Sequence, residues 1–244
     1  MRLLAVFILF LFALIPLNAD SFKDNITWAV HGTILYFAAD NGKQGADPAP
    51  ILPSLGVSAA WHFWGPLRLE VSEDIYFTNY EYNSTLGYAM PCNQENRSAF
   101  VMGFITGVQL AGFIPVGSEG MGVRVYGGPS ADIRLVVQAF GLHPDDFTGD
   151  IKTDAGMQTD AIRKYFWSSG RWFFPVFGAG MDFPVNEKFL LGFDLRTWFP
   201  LYRLWTDEML PSIDGWRFGI GLRLTPRKKS ASSETDASGD GSGK

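Results

Sequence analysis

Cysteine is nearly missing from this sequence, which has one among its 244 residues. Cys92 has no second cysteine in the chain with which to pair, so a disulfide framework is excluded within one chain. We expect Cys92 to be a buried or loop thiol without a function of its own, and pairing with a partner chain is the alternative. The fold therefore depends on packing, hydrogen bonds and ion pairs.

Long apolar runs are also missing beyond the amino terminus. Arg2, the apolar run 3–15 and the segment 16–19 have the order of regions typical of a secretory signal peptide, with cleavage expected before Asp20. No later segment stays apolar for the roughly 20 residues that a membrane-spanning helix needs. We therefore predict a signal peptide over residues 1–19. Because no cysteine follows the cleavage point, a lipid anchor is not expected.

The sequence also lacks the motifs and charge patterns of several function classes. It has no Gly-x-Ser-x-Gly element, and His31, His62 and His143 show no pattern of an acyl-transfer site. The aspartates of segment 139–170 fit no EF-hand spacing, so we expect a solvated acidic loop. A net charge of −5 without an extended basic stretch excludes nucleic acid as a partner. We name no catalytic residue, metal ligand or cofactor, and predict that the protein is not an enzyme.

What the sequence has instead is a regular alternation of apolar and polar side chains. Residues 215–224 place large apolar side chains at every second position, with charged residues or glycine between them, and residues 188–199 repeat the pattern. Successive side chains of a strand point to opposite faces, so each segment has one apolar and one polar face. The apolar face of the final segment consists of Trp216, Phe218, Ile220, Leu222 and Leu224. Such segments, repeated along a chain, are typical of a transmembrane β-barrel.

Eight segments of this kind predict an all-β fold, an eight-stranded antiparallel up-and-down transmembrane β-barrel within residues 20–226. The predicted strands are 26–38, 52–64, 67–80, 98–114, 122–137, 171–184, 188–199 and 215–224. Every second connection is short, as in outer-membrane barrels with short periplasmic turns and long extracellular loops. We therefore predict a location in the bacterial outer membrane, with its lipid as a partner. The polar residues 227–244 are expected to form a disordered periplasmic tail.

Charged side chains of both signs occur on the polar faces of the predicted strands. They are Arg68, Glu70, Asp74, Arg124, Asp132, Arg134, Asp182, Asp194, Arg196, Arg217 and Arg223. Because arginine facing lipid at the bilayer midplane costs about 2–4 kcal/mol in a barrel, we predict that these side chains line the lumen. Eight strands leave an interior just wide enough for side chains to fill. The charges form either an ion-pair network that plugs the barrel or a narrow polar conduit or ligand pocket.

Glu73 breaks the alternation of the third predicted strand. Strict alternation would aim its carboxyl at lipid, between Val71 and Ile75. A β-bulge near residues 72–74 would re-aim the side chain, and a position at the outer headgroup level would make the lipid-facing carboxyl acceptable. Both explanations stay open at this point.

The final strand resembles the assembly signal that the outer-membrane insertion machinery recognises in barrel proteins. Arg217, Gly219, Leu222 and Leu224 occupy the polar, glycine and two apolar positions of that signal, although a tail follows Leu224 in place of a terminal aromatic residue. The whole pattern of strands and turns resembles the small eight-stranded outer-membrane proteins of the OmpW/OmpX kind, including the OmpW-like and Opa-like barrels of spirochaetes. The resemblance implies the insertion machinery as a partner. It also implies a role as a narrow channel, an adhesin or a structural envelope protein.

Two functions follow from this resemblance as expectations. The first is a porin-like protein that passes or binds small, partly hydrophobic solutes; small or apolar lumen positions fit such a passage, namely Val101, Ile105, Ala111, Phe113, Phe174 and Val176. The second is a surface interaction protein whose loops 81–97 and 139–170 bind host or matrix ligands. Within the longer loop, apolar residues at helical spacing in 155–166 indicate a short helix over the barrel mouth. A lipid-modifying enzyme is the weakest of the functions considered.

Overall fold

The structure is a computed structural model that describes residues 25–42, 48, 50–92, 99–117 and 121–227. The predicted signal peptide over 1–19 lies outside the described residues, and so does the predicted tail after Arg227. Both stay predictions.

The described part of the chain forms ten strands and one α-helix. The strands are β1 (Ile26–Phe37), β2 (Ile51–Trp64), β3 (Leu67–Asn83), β4 (Tyr88–Cys92), β5 (Ala99–Pro115), β6 (Gly122–Gly128), β7 (Ser130–Gln138), β8 (Val176–Pro184), β9 (Phe189–Trp198) and β10 (Arg217–Pro226). The helix is α1 (Ala155–Trp167), and short 3₁₀ turns cover Pro144–Asp146 and Leu201–Leu204. Pro129 separates β6 from β7, and both pair with β5, so they are two halves of one barrel strand.

The sheet closes on itself, because β1 pairs with both β2 and β10. The closing register runs from the pair Val30–Leu224 to the pair Phe37–Arg217. Around the barrel every neighbour is antiparallel, in the order β1, β2, β3, β5, β6 with β7, β8, β9 and β10. With β6 and β7 counted once and β4 attached only to β3, the barrel has eight strands. The predicted fold class and strand count are confirmed.

The two ends of the barrel differ in the length of their connections. The short connections at one end, called here the turn end, are 65–66, 116–121 and 185–188. The other end, called the loop end, carries the connections around β4, α1 and the second 3₁₀ turn. Gly65 has a φ of +50°, a conformation that residues other than glycine rarely adopt, and it starts the tight turn between β2 and β3. In outer-membrane barrels the short turns face the periplasm and the long loops face outward.

The outer surface of the barrel is apolar. Large side chains such as Leu55, Ile220 and Leu222 face outward and are more than half exposed, while the polar side chains between them point inward. Trp28 and Trp64 lie exposed near the turn end. Nearer the loop end, Phe199, Trp216 and Phe218 form a row of aromatic contacts. A closed barrel with an apolar belt between aromatic girdles spans a bilayer, and barrels of this kind belong to the bacterial outer membrane.

A cap of packed segments covers the loop end. Helix α1 begins after Asp154, whose carboxylate accepts a hydrogen bond of 2.8 Å from the amide of Met157. One face of α1 packs on the loop-end extensions of β3, β5 and β7 and on β4, and it forms a buried cluster that includes Tyr80, Met90, Ile162 and Phe166. In the described part of the chain, no helix has both the length and the apolar character that a membrane crossing requires. The helix predicted over 155–166 is confirmed.

Three local predictions differ from the structure. The segment 81–97, predicted as a polar loop, contains β4, whose five residues are all buried against the extension of β3. The sixth predicted strand begins at Val176 and not at residue 171, although Trp172 and Phe174 keep three backbone hydrogen bonds with Ser130 and Asp132 of β7. The explanation of Glu73 by a β-bulge is wrong, because Glu73 pairs with Val57 of β2 and Thr106 of β5 without a shift in register.

Candidate functional site in the barrel interior

All eleven charged side chains predicted to line the lumen lie inside the barrel. Ten of them are buried, and Arg68 is partly exposed near the turn end. Their alternation along the strands brings them inward, and the register of the closed sheet then decides which of them meet. The ten buried ones form three groups stacked along the barrel axis, and Arg68 lies apart from them. Whether these residues bind a ligand stays a prediction.

The first group lies nearest the turn end and is centred on Arg124. This guanidinium donates to Glu70 and to Asp194, the latter at 2.5 Å. Arg223 on β10 donates to Asp182 at 2.6 Å and lies 3.7–3.8 Å from the carboxylates of Asp194 and Glu70. Three carboxylates and two guanidiniums from five strands therefore share one network across the lumen.

The second group occupies the middle of the barrel and is centred on Asp74. Its carboxylate accepts hydrogen bonds from Arg196 at 2.8 Å and from the Nε2 of His31 at 2.9 Å. The hydroxyl of Ser54 approaches the same carboxylate at 3.4 Å. Asp74 and Arg196 are 122 residues apart in the chain, and both are buried.

The third group lies toward the loop end and is centred on Asp132. Arg217 forms an ion pair with it at 2.6 Å, Arg134 lies 3.1 Å away, and the hydroxyl of Tyr76 donates at 3.1 Å. The ring of Tyr76 crosses the lumen over Gly103 of β5, where an added Cβ would lie 2.0 Å from a ring atom. Glycine at this position is what lets the tyrosine reach the carboxylate.

Arginine–aromatic contacts join the third group to the cap. The guanidinium of Arg134 lies 3.7 Å from the ring centre of Phe166 on α1, and that of Arg217 lies 3.8 Å from Phe174. Arg171 stacks on Tyr165 at 4.4 Å and forms an ion pair with Glu208. A cavity of about 40 Å³, close to the size of one or two water molecules, lies between barrel and cap among the described residues.

The apolar lumen positions predicted to suit a hydrophobic passage are packed against other side chains. Ile105, Phe174 and Val176 belong to a buried cluster with Trp198 and Leu35 at the loop-end side of the barrel. Val101 belongs to the cluster under α1, Ala111 is buried, and Phe113 lies under the guanidinium of Arg68. These side chains fill the interior between the ion pairs.

A larger cavity, of about 250 Å³, lies at the turn end. Its polar lining includes Arg68, Asp182, Arg223 and Arg227, together with His62 and the hydroxyls of three threonine and serine residues. Arg68 belongs to β3, Asp182 to β8 and Arg223 to β10, so the cavity occupies the axis of the barrel. Two members of the first ion-pair group, Asp182 and Arg223, form part of its wall.

Several interior residues were missing from the predicted set. His31 and Tyr76 bind carboxylates of the set, and their inward phase in β1 and β3 was the signal that could have found them. Arg171 and Glu208 lie in irregular segments without alternation, so no periodic pattern marks that pair. In the described part of the chain, no group of three or more His, Cys, Asp or Glu side chains is arranged to hold a metal ion.

Comparison with known proteins gives structural matches alone. No protein-family model matches the chain, and the search of curated proteins gives no match. The chain is similar to outer membrane protein OprG from Pseudomonas aeruginosa, at 11% identity over 82% of this chain and 94% of that one, with a TM-score of 0.47. It is also similar to Neisserial surface protein A, at 12% identity over 84% of this chain and 97% of that one, with a TM-score of 0.43.

A third match is Ail of Yersinia pestis in complex with the heparin analogue sucrose octasulfate, at 9% identity over 82% of this chain and 95% of that one, with a TM-score of 0.43. At such low identities and TM-scores these matches carry no argument about function. The closed barrel, its strand count and its apolar belt rest on the geometry of the chain itself. The architecture is that of the small eight-stranded outer-membrane barrels.

Proposed function

We propose that this outer-membrane barrel is a surface interaction protein that binds a host or matrix protein through its loop end. The observation that carries the proposal is the ordered cap. The segment after β9 is tied to α1, because Glu208 pairs with Arg171 and accepts a hydrogen bond of 3.4 Å from Tyr165. The indole of Trp205 donates to the backbone carbonyl of Ser169 at 2.9 Å. Loops that are already ordered lose less conformational entropy when a partner binds.

The cap presents exposed apolar side chains away from the membrane belt. Trp167, Leu204, Trp205 and Met209, called here the loop-end patch, are 50–87% exposed and lie on the two segments that Arg171 and Glu208 join. Exposed tryptophan and methionine are typical of protein interfaces. The long loop 139–170 has five acidic and three basic residues, so its charge favours a partner surface that is basic.

Solute passage, the first function expected from the sequence, has less support. A channel needs a continuous polar path, whereas three ion-pair groups and the arginine–aromatic layer occupy the lumen from Glu70 to Phe166. An interaction protein needs no such path, and a filled interior gives a rigid base for the loops. The second expected function is therefore the better supported one.

Binding of purified protein to immobilised fibronectin, laminin and collagen tests the proposal. We expect saturable binding to at least one of them, weakened several-fold in a Trp167→Ala, Trp205→Ala variant. Trp64→Ala is the control, since it removes a still more exposed tryptophan at the turn end. Because the loop is acidic, we expect no retention on heparin at neutral pH. Absence of binding to all three proteins, or equal binding by the variant and the wild type, would contradict the proposal.

Conductance in planar bilayers separates binding from passage. We expect the wild-type protein to give no steady discrete conductance steps, while a general porin inserted under the same conditions gives them. Protein that has folded and inserted is recognised beforehand by its heat-modifiable migration in gels. Steady conductance steps from the folded protein would favour the porin-like function instead.

A further inference from the structure

The cavity at the turn end lies at the opposite end of the barrel from the loop-end patch, so surface binding does not account for it. Three guanidiniums, those of Arg68, Arg223 and Arg227, line it together with the single carboxylate of Asp182. That carboxylate already accepts a hydrogen bond of 2.6 Å from Arg223. The lining therefore has an excess of positive charge, and Asp182 is committed to one of the three cations.

Arg68 is the cation that lacks a partner. In the part of the chain that the structure describes, its guanidinium forms no ion pair with a carboxylate, and its Nε, which is buried, has no hydrogen-bond partner. The side chain is nevertheless held in place, since the guanidinium stacks over the ring of Phe113 at 4.2 Å. The guanidinium is partly exposed at the cavity wall and has no ion pair of its own, so an anion in the cavity can reach it.

The chemistry of the lining limits what this anion is. A guanidinium presents parallel N–H groups that match the oxygens of a phosphate or carboxylate. The hydroxyls of Thr27, Ser58 and Thr225 add neutral donors, and Leu190 and Pro226 add apolar surface. At about 250 Å³ the cavity suits a small solute and not a polymer. The ion-pair group around Arg124 lies on the loop-end side of the cavity, so a ligand reaches the cavity from the turn end.

We propose that the turn-end cavity binds the phosphate or carboxylate group of a small periplasmic molecule, with Arg68 as the principal donor and Arg223 beside it. Two kinds of molecule carry such an anionic group at the periplasmic side of the membrane: a free solute, and a phospholipid of the inner leaflet with its headgroup. The site is a blind pocket that holds the anion, and transport across the membrane is not part of its role.

Calorimetric titration of the full chain tests the proposal, in maltoside micelles that contain no phosphate. We expect saturable binding of inorganic phosphate or of succinate, and a dissociation constant raised at least tenfold in Arg68→Gln. Arg163→Gln is the matched control, because Arg163 is an exposed guanidinium of the cap, paired with Asp160. No saturable binding by the wild type, or equal constants for the two variants, would overturn the proposal.

A second measurement needs no variant, so it holds even if Arg68→Gln fails to fold. Phenylglyoxal modifies arginine side chains, and mass spectrometry locates the modified residues. We expect phosphate to slow modification of Arg68 while that of Arg163 is unchanged; equal rates with and without phosphate would contradict the site. Repeating the titration in phospholipid nanodiscs distinguishes the sources. Loss of the phosphate signal there identifies a lipid headgroup as the occupant, and its persistence identifies a free solute.

Discussion

At the scale of single residues, Glu73 is the clearest departure from the alternation. It lies halfway along the paired stretch of β3 from Leu67 to Tyr80, so it faces the middle of the apolar belt and not a headgroup layer. Its carboxylate accepts a hydrogen bond from the hydroxyl of Thr106 on β5. This hydrogen bond takes the place of the hydration that the carboxylate would have in water.

Replacing Glu73 with leucine should therefore stabilise the barrel. We expect Glu73→Leu to raise the free energy of unfolding by about 1–2 kcal/mol. A lipid-facing carboxylate destabilises a barrel, although by less than a lipid-facing arginine does. Thr106→Val should lower it, because the carboxylate then loses its donor. Urea unfolding in lipid vesicles, followed by tryptophan fluorescence, measures both. Glu187→Leu in a periplasmic turn serves as the control, and a loss of stability in Glu73→Leu would show that the carboxylate has a favourable role.

Which side chains point inward could be predicted from the sequence, and which of them meet could not. Ionised groups cannot face lipid, so the phase of each strand was enough to assign Asp74 and Arg196 to the lumen. Their contact depends on the register of the four strand pairs that separate β3 from β9 in either direction around the barrel, which the alternation leaves undetermined. Arg171 and Glu208 lie outside any strand, and no periodic pattern marked them.

At the scale of elements, the strands that face lipid on one side were predictable and β4 was not. A membrane strand alternates because its two faces meet different media. All five residues of β4 are buried, between β3 and α1, so both of its faces meet protein and no alternation results. Cys92 ends this strand, and burial raises the pKa of its thiol to about 12. The expectation of a buried thiol is confirmed.

Helix α1 depends on its first turn, and this gives a prediction with a pH dependence. Hydrogen bonds from the amides of Met157 and Gly149 hold the pKa of the Asp154 carboxyl below its usual value. A carboxyl with a lowered folded-state pKa stabilises the fold above its unfolded pKa of about 3.9, and this contribution is lost as the pH falls through the folded value. The cap should therefore loosen in acid while the barrel stays closed.

Asp154→Ala should loosen the cap at neutral pH as well, because the first turn loses its capping carboxylate. We expect hydrogen exchange at the amides of Gln158 and Thr159 to become several-fold faster, and the barrel strands to keep their protection. Asp160→Ala, which removes an exposed carboxylate of the same helix, should change these rates much less. Equal acceleration in both variants would mean that charge, and not capping, holds the helix.

At the scale of the whole molecule, the closed barrel explains why its interior is ionic. Ten charged side chains are buried in a lumen that side chains alone must fill, and each carboxylate among them lies within an ion pair. The balance of signs was visible in the sequence, which left a plug and a conduit as alternatives. The choice between them depends on the width of the lumen after packing, which the alternation of side chains leaves undetermined.

An interior network of this kind should show strong coupling between partners. Removing one member of the pair Asp74–Arg196 leaves the other charge buried without its counterion, so Asp74→Leu and Arg196→Met should each lower the free energy of unfolding by about 3–5 kcal/mol. The double variant removes both charges and should lose far less than the sum of the two. Some loss remains, because His31 also donates to Asp74 and is left unpaired.

A double-mutant cycle measured by urea unfolding in lipid vesicles gives the coupling energy directly. The exposed pair Asp160–Arg163 on α1, taken through the same cycle with alanine, supplies the comparison and should couple by under about 1 kcal/mol. Because a buried charge without its counterion is costly, we expect the interior pairs to favour the register in which Asp74 meets Arg196. Additive losses at Asp74 and Arg196 would show instead that the strand ladder fixes the register without them.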